Sequence, residues 1–437
     1  MGMDRARILV LFPKDWDRLE LGRLQGEGYR FHYEGFDLFR FPENARLLAF
    51  DVRRFIERLV RRYRGRIDGV VSNNEHFGAL IAAVLAQRLN LPGADPAAII
   101  AAQHKYYARC LLQRVLPEAT PAFEALPYDA PLQAPAMGFP CFVKPVKATY
   151  SVLARRVDSL AGLCTLLDFS PLERLILGRL VRPFDDLMAE YTPFTLGARA
   201  MIAEQVLYGV QLNVDGVVDR GCVHLLGIVD EVMYPGTHAF MRFEYPSQLD
   251  VATRRRVAVL VRQVIGALGL GHGFFNIELM LDPASGRLSV IEVNPRMASQ
   301  IVNLYRRVDG CDPYRMLLEL ATGRAPRVSE GAGEFRAAAS FVMRRFDGRA
   351  PSVLPSAAQI ADMHRRHPDA RLMLYLKRGA SLAREMKWLG SHRYAVLNLG
   401  GRDSADLMAR YEAIRRELAF SADYTPDYTP DINAASS

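Results

Sequence analysis

Apolar positions along the first hundred residues follow two patterns. Short runs with β-branched content, residues 7–12 (RILVLF) and 68–72 (DGVVS), predict strands, and the helical patterns over 52–63 and 76–89 lie between and after them. Strands alternating with helices predict a parallel α/β layer. Pro92-Gly93 breaks the chain, and Asp95-Pro96 then sets a capping residue and a first-turn proline ahead of a helix over 97–115 that carries Lys105. A strand over 140–146 (PCFVKPV) comes next, then a helix-rich stretch to about residue 200, then β patterns over 201–218 and 222–234. Residues 251–268 form an amphipathic helix, with Val257, Leu260, Val261, Val264, Ile265 and Leu268 opposite Arg254, Arg255 and Arg262. Two strands follow, 274–281 and 288–294, then an α+β segment over about 335–420. The last residues repeat TyrThrProAsp twice and cannot build a core, so 421–437 is expected to be disordered.

The pair of strands at 274–294 carries the most chemistry. Side chains alternate along a strand, so Asn276, Glu278 and Met280 share one face and Val290, Glu292 and Asn294 share another. The turn between them, with Pro283 and Gly286, predicts an antiparallel hairpin that aims two carboxylates and an amide the same way. Such a cluster between apolar positions is costly unless something compensates it. One reading is an ordinary solvent-facing hairpin. The other is a divalent cation: hard oxygen ligands suit magnesium held together with nucleotide phosphates. Arg296, two residues beyond Asn294, fits an anionic substrate or a phosphoryl group. Lys144 lies within an apolar strand, where an unpaired ammonium is costly, whereas Lys147 lies in the loop beyond it.

Composition narrows the class. A chain of 437 residues, half of them hydrophobic, is expected to divide into two to four domains or subdomains and is neither disordered nor fibrous. The net charge of +8 is compatible with an anionic ligand and does not demand nucleic acid. The basic clusters at 61–66 and 254–256 read as solvated faces. The longest purely apolar run, 78–86, is too short to span a bilayer, and no signal peptide or myristoylation signal is read at the N-terminus. Five scattered cysteines without CxxC fit a reducing cytoplasm and argue against disulfides or zinc. No HExxH or GxSxG motif is present, and nothing points to a covalent nucleophile.

Glu278 followed by Glu292-Val293-Asn294-Pro295-Arg296 resembles the metal-binding signature of the ATP-grasp superfamily, which includes biotin carboxylase, D-alanine–D-alanine ligase and the L-amino acid ligases. The resemblance continues upstream in the expected order. Lys105, in QHKYYAR (103–109) before PEATP (117–121), is similar to the lysine that opens the family's nucleotide-binding domain. Lys144, in FVKP (142–145), resembles the strand lysine that reaches the phosphates, with Lys147 either a further phosphate ligand or a surface residue. AEQVLYG (203–209) resembles the hinge strand whose backbone pairs with adenine. This implies nucleotide contacts at Glu204, the Gln205 carbonyl and the Leu207 amide, with Gln211 where many members carry a ribose-binding Glu.

What the resemblance implies is an α/β (α+β) chain with an ATP-grasp fold. It would comprise a Rossmann-like N-terminal domain (1–94), an ATP-grasp domain (95–325, subdomains about 95–200 and 201–325) and a small C-terminal α+β segment (326–420). The cofactors implied are ATP and Mg2+, two ions with Mn2+ as an alternative, held by Glu278, Glu292 and Asn294, and Arg296 is the implied catalytic residue. Two departures matter. The loop 146–156 (VKATYSVLARR) lacks the family's glycines, leaving Thr149, Ser151 and Arg155 or Arg156 as donors to the phosphates. Gln300 stands where biotin carboxylases carry a basic Glu, and an amide cannot take that proton. The favoured activity is therefore an ADP-forming carboxylate–amine ligase acting through an acyl phosphate and joining an amino acid or other small carboxylate to an amine. A biotin-carboxylase-like enzyme and a nucleotide-binding homologue without ligase activity are the alternatives. Asp230, His238, Arg242 and Glu244 in the 227–247 region, with Gln300 and Arg336, are candidate substrate contacts. The partners implied are a small carboxylate and an amine, with no nucleic acid and no membrane. A homodimer is compatible with the sequence, which gives no firm oligomeric state.

Overall fold

The computed structural model describes residues 5–38, 42–128, 132–147, 153–351 and 354–418. The expected tail, and Thr149 and Ser151, lie outside the described residues.

The chain opens with β1 (Ala6–Leu11), α1 (Asp15–Leu24), β2 (Tyr29–Glu34), α2 (Val52–Tyr63), β3 (Gly69–Val71) and α3 (Gly78–Leu89). The three strands form a parallel sheet in the order β2-β1-β3, as the strand–helix alternation predicts; α1 and β2 escaped the sequence pattern. Next come α4 (Pro96–Gln103) and α5 (Lys105–Val115), where the sequence predicted one helix. The Asp95 side chain caps α4 as expected, accepting from the Ala97 amide. At His104, however, the backbone turns extended (φ −90°, ψ 96°). The Lys105 amide then donates to the Val146 carbonyl at 2.9 Å. This break places Lys105 at the first turn of a helix that starts against the strand carrying Lys144.

That strand belongs to a second, antiparallel sheet of β4 (Phe123–Pro127), β5 (Cys141–Pro145), β6 (Arg155–Val157) and, after α6 (Leu160–Leu167) and α7 (Pro171–Tyr191), β7 (Ala200–Gln205), in the order β4-β7-β5-β6. From β7 the chain crosses into the third and largest sheet. Gly209 (φ +134°) makes the crossing: a Cβ there would stand 2.0 Å from the Leu281 carbonyl oxygen.

The large sheet collects β8 (Val210–Asp219), β9 (Cys222–Met233), β10 (Phe240–Tyr245), then, beyond α8 (Val251–Ala267), β11 (Gly273–Leu281) and β12 (Leu288–Asn294). After α9 (Val302–Asp309) and α10 (Pro313–Ala321) it also takes β13 (Ala337–Arg345), β14 (Arg371–Leu374) and β15 (His392–Gly401), interleaved with α11 (Ala357–Arg366), α12 (Gly379–Leu389) and closed by α13 (Ser404–Glu417). The order is β12-β11-β8-β9-β10-β13-β15-β14, so the C-terminal strands extend the sheet of the hairpin. One face packs Leu212, Val214 and Leu279 onto α8 through Val257, Val261 and Val264. The other face is apolar where Val229, Phe243 and Tyr245 meet Tyr305 of α9, and around Val217, Phe274, Ala338, Val342 and Val396, with a polar stretch on β8, β9, β11 and β12.

Among the described residues no helix is long and apolar enough to cross a membrane. The five cysteines are free thiols, in line with the absence of a disulfide framework.

Candidate active site

The polar part of that face holds the candidate site. β11 and β12 pair antiparallel with Glu278 opposite Glu292 and Asn276 opposite Asn294, the shared face that alternation predicts; a register shift beyond Glu278 sets Val290 opposite Leu279, on the other face, where strict alternation had put it with Glu292. β8 adds Asn213 opposite Glu278 and Asp215 opposite Asn276, and β9 adds Glu231 opposite Gln211. The Asn276 amide donates to Asp215 at 2.9 Å and the Gln211 amide to Glu278 at 3.2 Å.

Lysines approach this face from the small sheet and the helix break. Lys105 Nζ lies 3.2 Å from Glu292. Lys144 Nζ meets Glu204 at 2.8 Å and donates to the Ile291 carbonyl at 3.1 Å, while Arg109 meets the same Glu204 at 2.7 Å. Glu204 is thus a side chain that fixes the strand lysine. Burial lowers Lys144's pKa; the Glu204 charge opposes this only in part. Lys147, expected in an exposed loop, is buried: its Nζ donates to the Glu75 carbonyl at 2.7 Å and lies over the Phe184 ring. Burial brings its pKa down to about 7, against the opposing pull of Glu75. Gln205 ends β7 exposed to solvent, and Leu207 lies in the crossing between the two sheets.

Glu75, in the segment after β3, went unnoticed in the sequence. Its carboxylate receives the Arg296 Nε at 3.1 Å. Burial pushes its pKa up, but the charges of Arg296, Lys147, Lys14 and Lys105 outweigh this and hold it down at about 2. The available signal was positional, because ligands collect at the carboxyl ends of parallel strands. Arg109, Asn213, Asp215 and Glu231 were also missed. Burial raises Glu278 well above the usual carboxylate range, reinforced by the charges of Glu231, Glu292 and Glu75. Burial likewise takes Glu231 up to about 8.

These residues fit a divalent cation. With its amide nitrogen inward, Asn294 donates to Glu75 at 2.9 Å and to Glu292 at 3.2 Å. Turned the other way, its oxygen joins carboxylate oxygens, a hard donor set. Among the described residues no three His, Cys, Asp or Glu side chains form a cage of their own. The protein therefore offers two carboxylates and an amide, leaving room for phosphate and water ligands, the way Mg2+ is commonly held.

Not every expected residue reaches this face. Asp230 pairs with Leu212 and Glu244, on the opposite face, and accepts from the Gln248 amide at 2.8 Å. Arg242 also lies on that face and pairs with Glu244. Side chains reverse at every step along a strand, so it is Glu231, one residue on from Asp230, that faces the cluster. His238 sits in the β9–β10 turn with its ring against Phe142 of β5 (5.7 Å between centroids), bridging the two sheets. Gln300 reaches the same side, donating to Ser340 at 3.1 Å and accepting from Arg393 at 3.3 Å. Arg336 is exposed just before β13, four strand positions from β11, roughly 19 Å of strand spacing. Arg155 and Arg156 lie exposed in β6, Arg156 paired with Asp158 at 2.8 Å.

A family model for the ATP-grasp domain matches residues 137–303, the stretch that holds the small sheet, the crossing and the hairpin. Residues 137–303 form an ATP-grasp domain. The chain is 28% identical over 353 residues to the uncharacterized protein y4rH of Sinorhizobium fredii, covering 78% of this chain and 66% of that one. It is 29% identical over 262 residues to carnosine synthase 1 of Gallus gallus, covering 56% of this chain and 26% of that one. The chain therefore spans less than two thirds of either relative. The L-amino acid ligase of Bacillus licheniformis shares the fold, with a TM-score of 0.69 at 18% identity over 95% of this chain and 98% of that one.

Proposed function

We propose that this protein is an ATP-dependent carboxylate–amine ligase that acts through an acyl phosphate and releases ADP and phosphate. The observation that carries the reading is a cluster of contacts around the Glu278–Glu292–Asn294 face: Lys105 meets Glu292, Lys144 meets Glu204 and the Ile291 carbonyl, and Lys147 and Arg296 both meet Glu75. The nucleotide would lie between the small and large sheets, with Gln205 and Leu207 at the adenine. Its phosphates would reach the three lysines and leave Glu204 as the group that orients Lys144. Mg2+ bound at Glu278, Glu292 and Asn294 would neutralise phosphate charge. An oxygen of the substrate carboxylate attacks the γ-phosphorus and ADP leaves; an amine then attacks the acyl carbon and phosphate leaves, the amine's proton passing to solvent. Arg296, anchored by Glu75, would stabilise the oxyanion that forms on the way. The identity of carnosine synthase 1 with this chain supports amine acylation, and the engaged amide of Gln300 speaks against a bicarbonate base.

ADP release measured over a matrix of carboxylates and amines tests the reading. Release that requires both members of a pair is expected; release that requires bicarbonate and biotin instead would replace it with a carboxylase. Nucleotide affinity should also depend on pH. Lys147 is half deprotonated near pH 7 in the free protein, and phosphate favours its charged form, so binding takes up a proton. Affinity for MgATP is expected to fall as pH rises from about 6.5 to 8.5, and calorimetry in buffers of different ionisation enthalpy should show proton uptake. Affinity that is flat across that window contradicts the assignment of Lys147 to the phosphates.

A further inference from the structure

Most charges that face the cleft are matched. Lys105 meets Glu292 at 3.2 Å, Lys144 and Arg109 meet Glu204 at 2.8 and 2.7 Å, and Arg296 meets Glu75. Among the described residues Glu278 and Glu231 form no ion pair: Glu278 accepts from the Gln211 amide at 3.2 Å, and Glu231 accepts from the Asn213 amide at 2.9 Å with Gln211 beside it as well. Glu278 belongs to the donor set already assigned to a divalent cation. Glu231 has no such role. It is 3% exposed, and among the described residues its Oε2 has no hydrogen-bond partner. A buried carboxyl with an unpaired oxygen is costly, so its complement is expected in the ligand.

Position narrows that complement. Glu231 is on β9, two strands beyond β11 and about 10 Å of strand spacing from it, on the side away from β12 and Lys105. Directly opposite it on the same face stand Gln211 and Phe243. Asn213 turns its nitrogen to Glu231, so it offers that carboxylate no additional oxygen for a metal. What fits is an ammonium on a small organic group, which draws the buried carboxyl into its charged form and is carried a few ångströms past the carboxylate that reacts with the γ-phosphate. We infer that Glu231 binds the ammonium group of the carboxylate substrate, which makes that substrate a small amino acid rather than a simple carboxylic acid. This rests on the ligase reading and adds the substrate class to it.

Hydroxylamine tests it without knowledge of the natural amine, because it traps an acyl phosphate as a hydroxamate. The protein with MgATP is given each of the L-amino acids and β-alanine, beside the matching acids that lack the amino group. Wild type is expected to prefer an amino acid over its deaminated counterpart by at least about tenfold in kcat/KM, the scale of a hydrogen bond to a charged group. Glu231→Gln should raise KM for the amino acid by about tenfold and remove most of the preference. KM for ATP and the Mg2+ concentration for half-maximal rate should not move. Glu231→Asp, which keeps the charge, should retain part of the preference, and nucleotide binding by both variants reports that they are folded. Equal use of both acid classes by wild type, or an unchanged ratio in Glu231→Gln, overturns the inference alone. A shift in the Mg2+ requirement overturns it in favour of a metal-ligand role. Absence of hydroxamate with every acid overturns the ligase reading as well.

Discussion

Glu292→Gln is expected to lower substrate-dependent ADP formation by at least a hundredfold while leaving the fold in place. The carboxylate does two things at once. It pairs with Lys105 at 3.2 Å and stands opposite Glu278, where the two would give a cation two charged ligands. An amide of the same size keeps the packing but removes a full charge from the donor set and leaves Lys105 without its carboxylate. A hundredfold loss is about 2.7 kcal/mol of transition-state stabilisation, ordinary for one group that acts on developing phosphoryl charge. The residue is partly exposed, with 20% of its side chain open, so thermal unfolding should change little. Calorimetric titration of ATP with and without Mg2+ separates the causes: the variant should lose the Mg2+-dependent part of the affinity and keep the rest. Near-wild-type turnover at saturating Mg2+ would remove Glu292 from the metal site.

Strand period carried most of what the sequence disclosed. The faces of Glu278, Glu292 and Asn294 followed from alternation alone, and the parallel N-terminal layer followed from alternating strand and helix signals. Where inference failed, it failed on contacts between distant segments. Nothing local in residues 97–115 shows that the helix stops at His104, because the cause is a hydrogen bond to Val146. Lys147 looked like an exposed loop residue because its burial depends on Glu75 and Phe184, which lie 72 and 37 positions away. The β pattern over 222–234 sets Asp230 and Glu231 on opposite faces, but it does not say which face meets the cluster. That depends on the pairing of β9 with β8, which puts Glu231 opposite Gln211 and Asp230 opposite Leu212. The C-terminal segment looked separate on the page, yet β13 pairs with β10 and continues the sheet of the site.

Glu75→Gln is expected to be the most damaging single change outside the nucleotide pocket proper, and for two reasons that can be measured apart. The carboxylate is the counterion of Arg296, and both side chains are mostly buried, at 7% and 12% exposure. Removing one partner of such a pair strands the other charge in a poorly solvated place, which typically costs about 3–5 kcal/mol. Urea unfolding of the ligand-free variant should show a loss of that size. The second reason is electrostatic and concerns Lys147. The Glu75 carboxylate is the main influence that holds the Lys147 ammonium in its charged form, while the hydrogen bond between them uses only the Glu75 backbone carbonyl. The amide variant keeps the backbone bond and loses the charge, so the Lys147 pKa should fall below about 7. The decline of MgATP affinity with rising pH should then begin at lower pH, with more protons taken up per binding event at neutral pH. A purely structural role for Glu75 predicts the stability loss without the shift in the pH profile. An unshifted profile in a variant that still binds nucleotide would separate Glu75 from the phosphate lysines and confine it to anchoring Arg296.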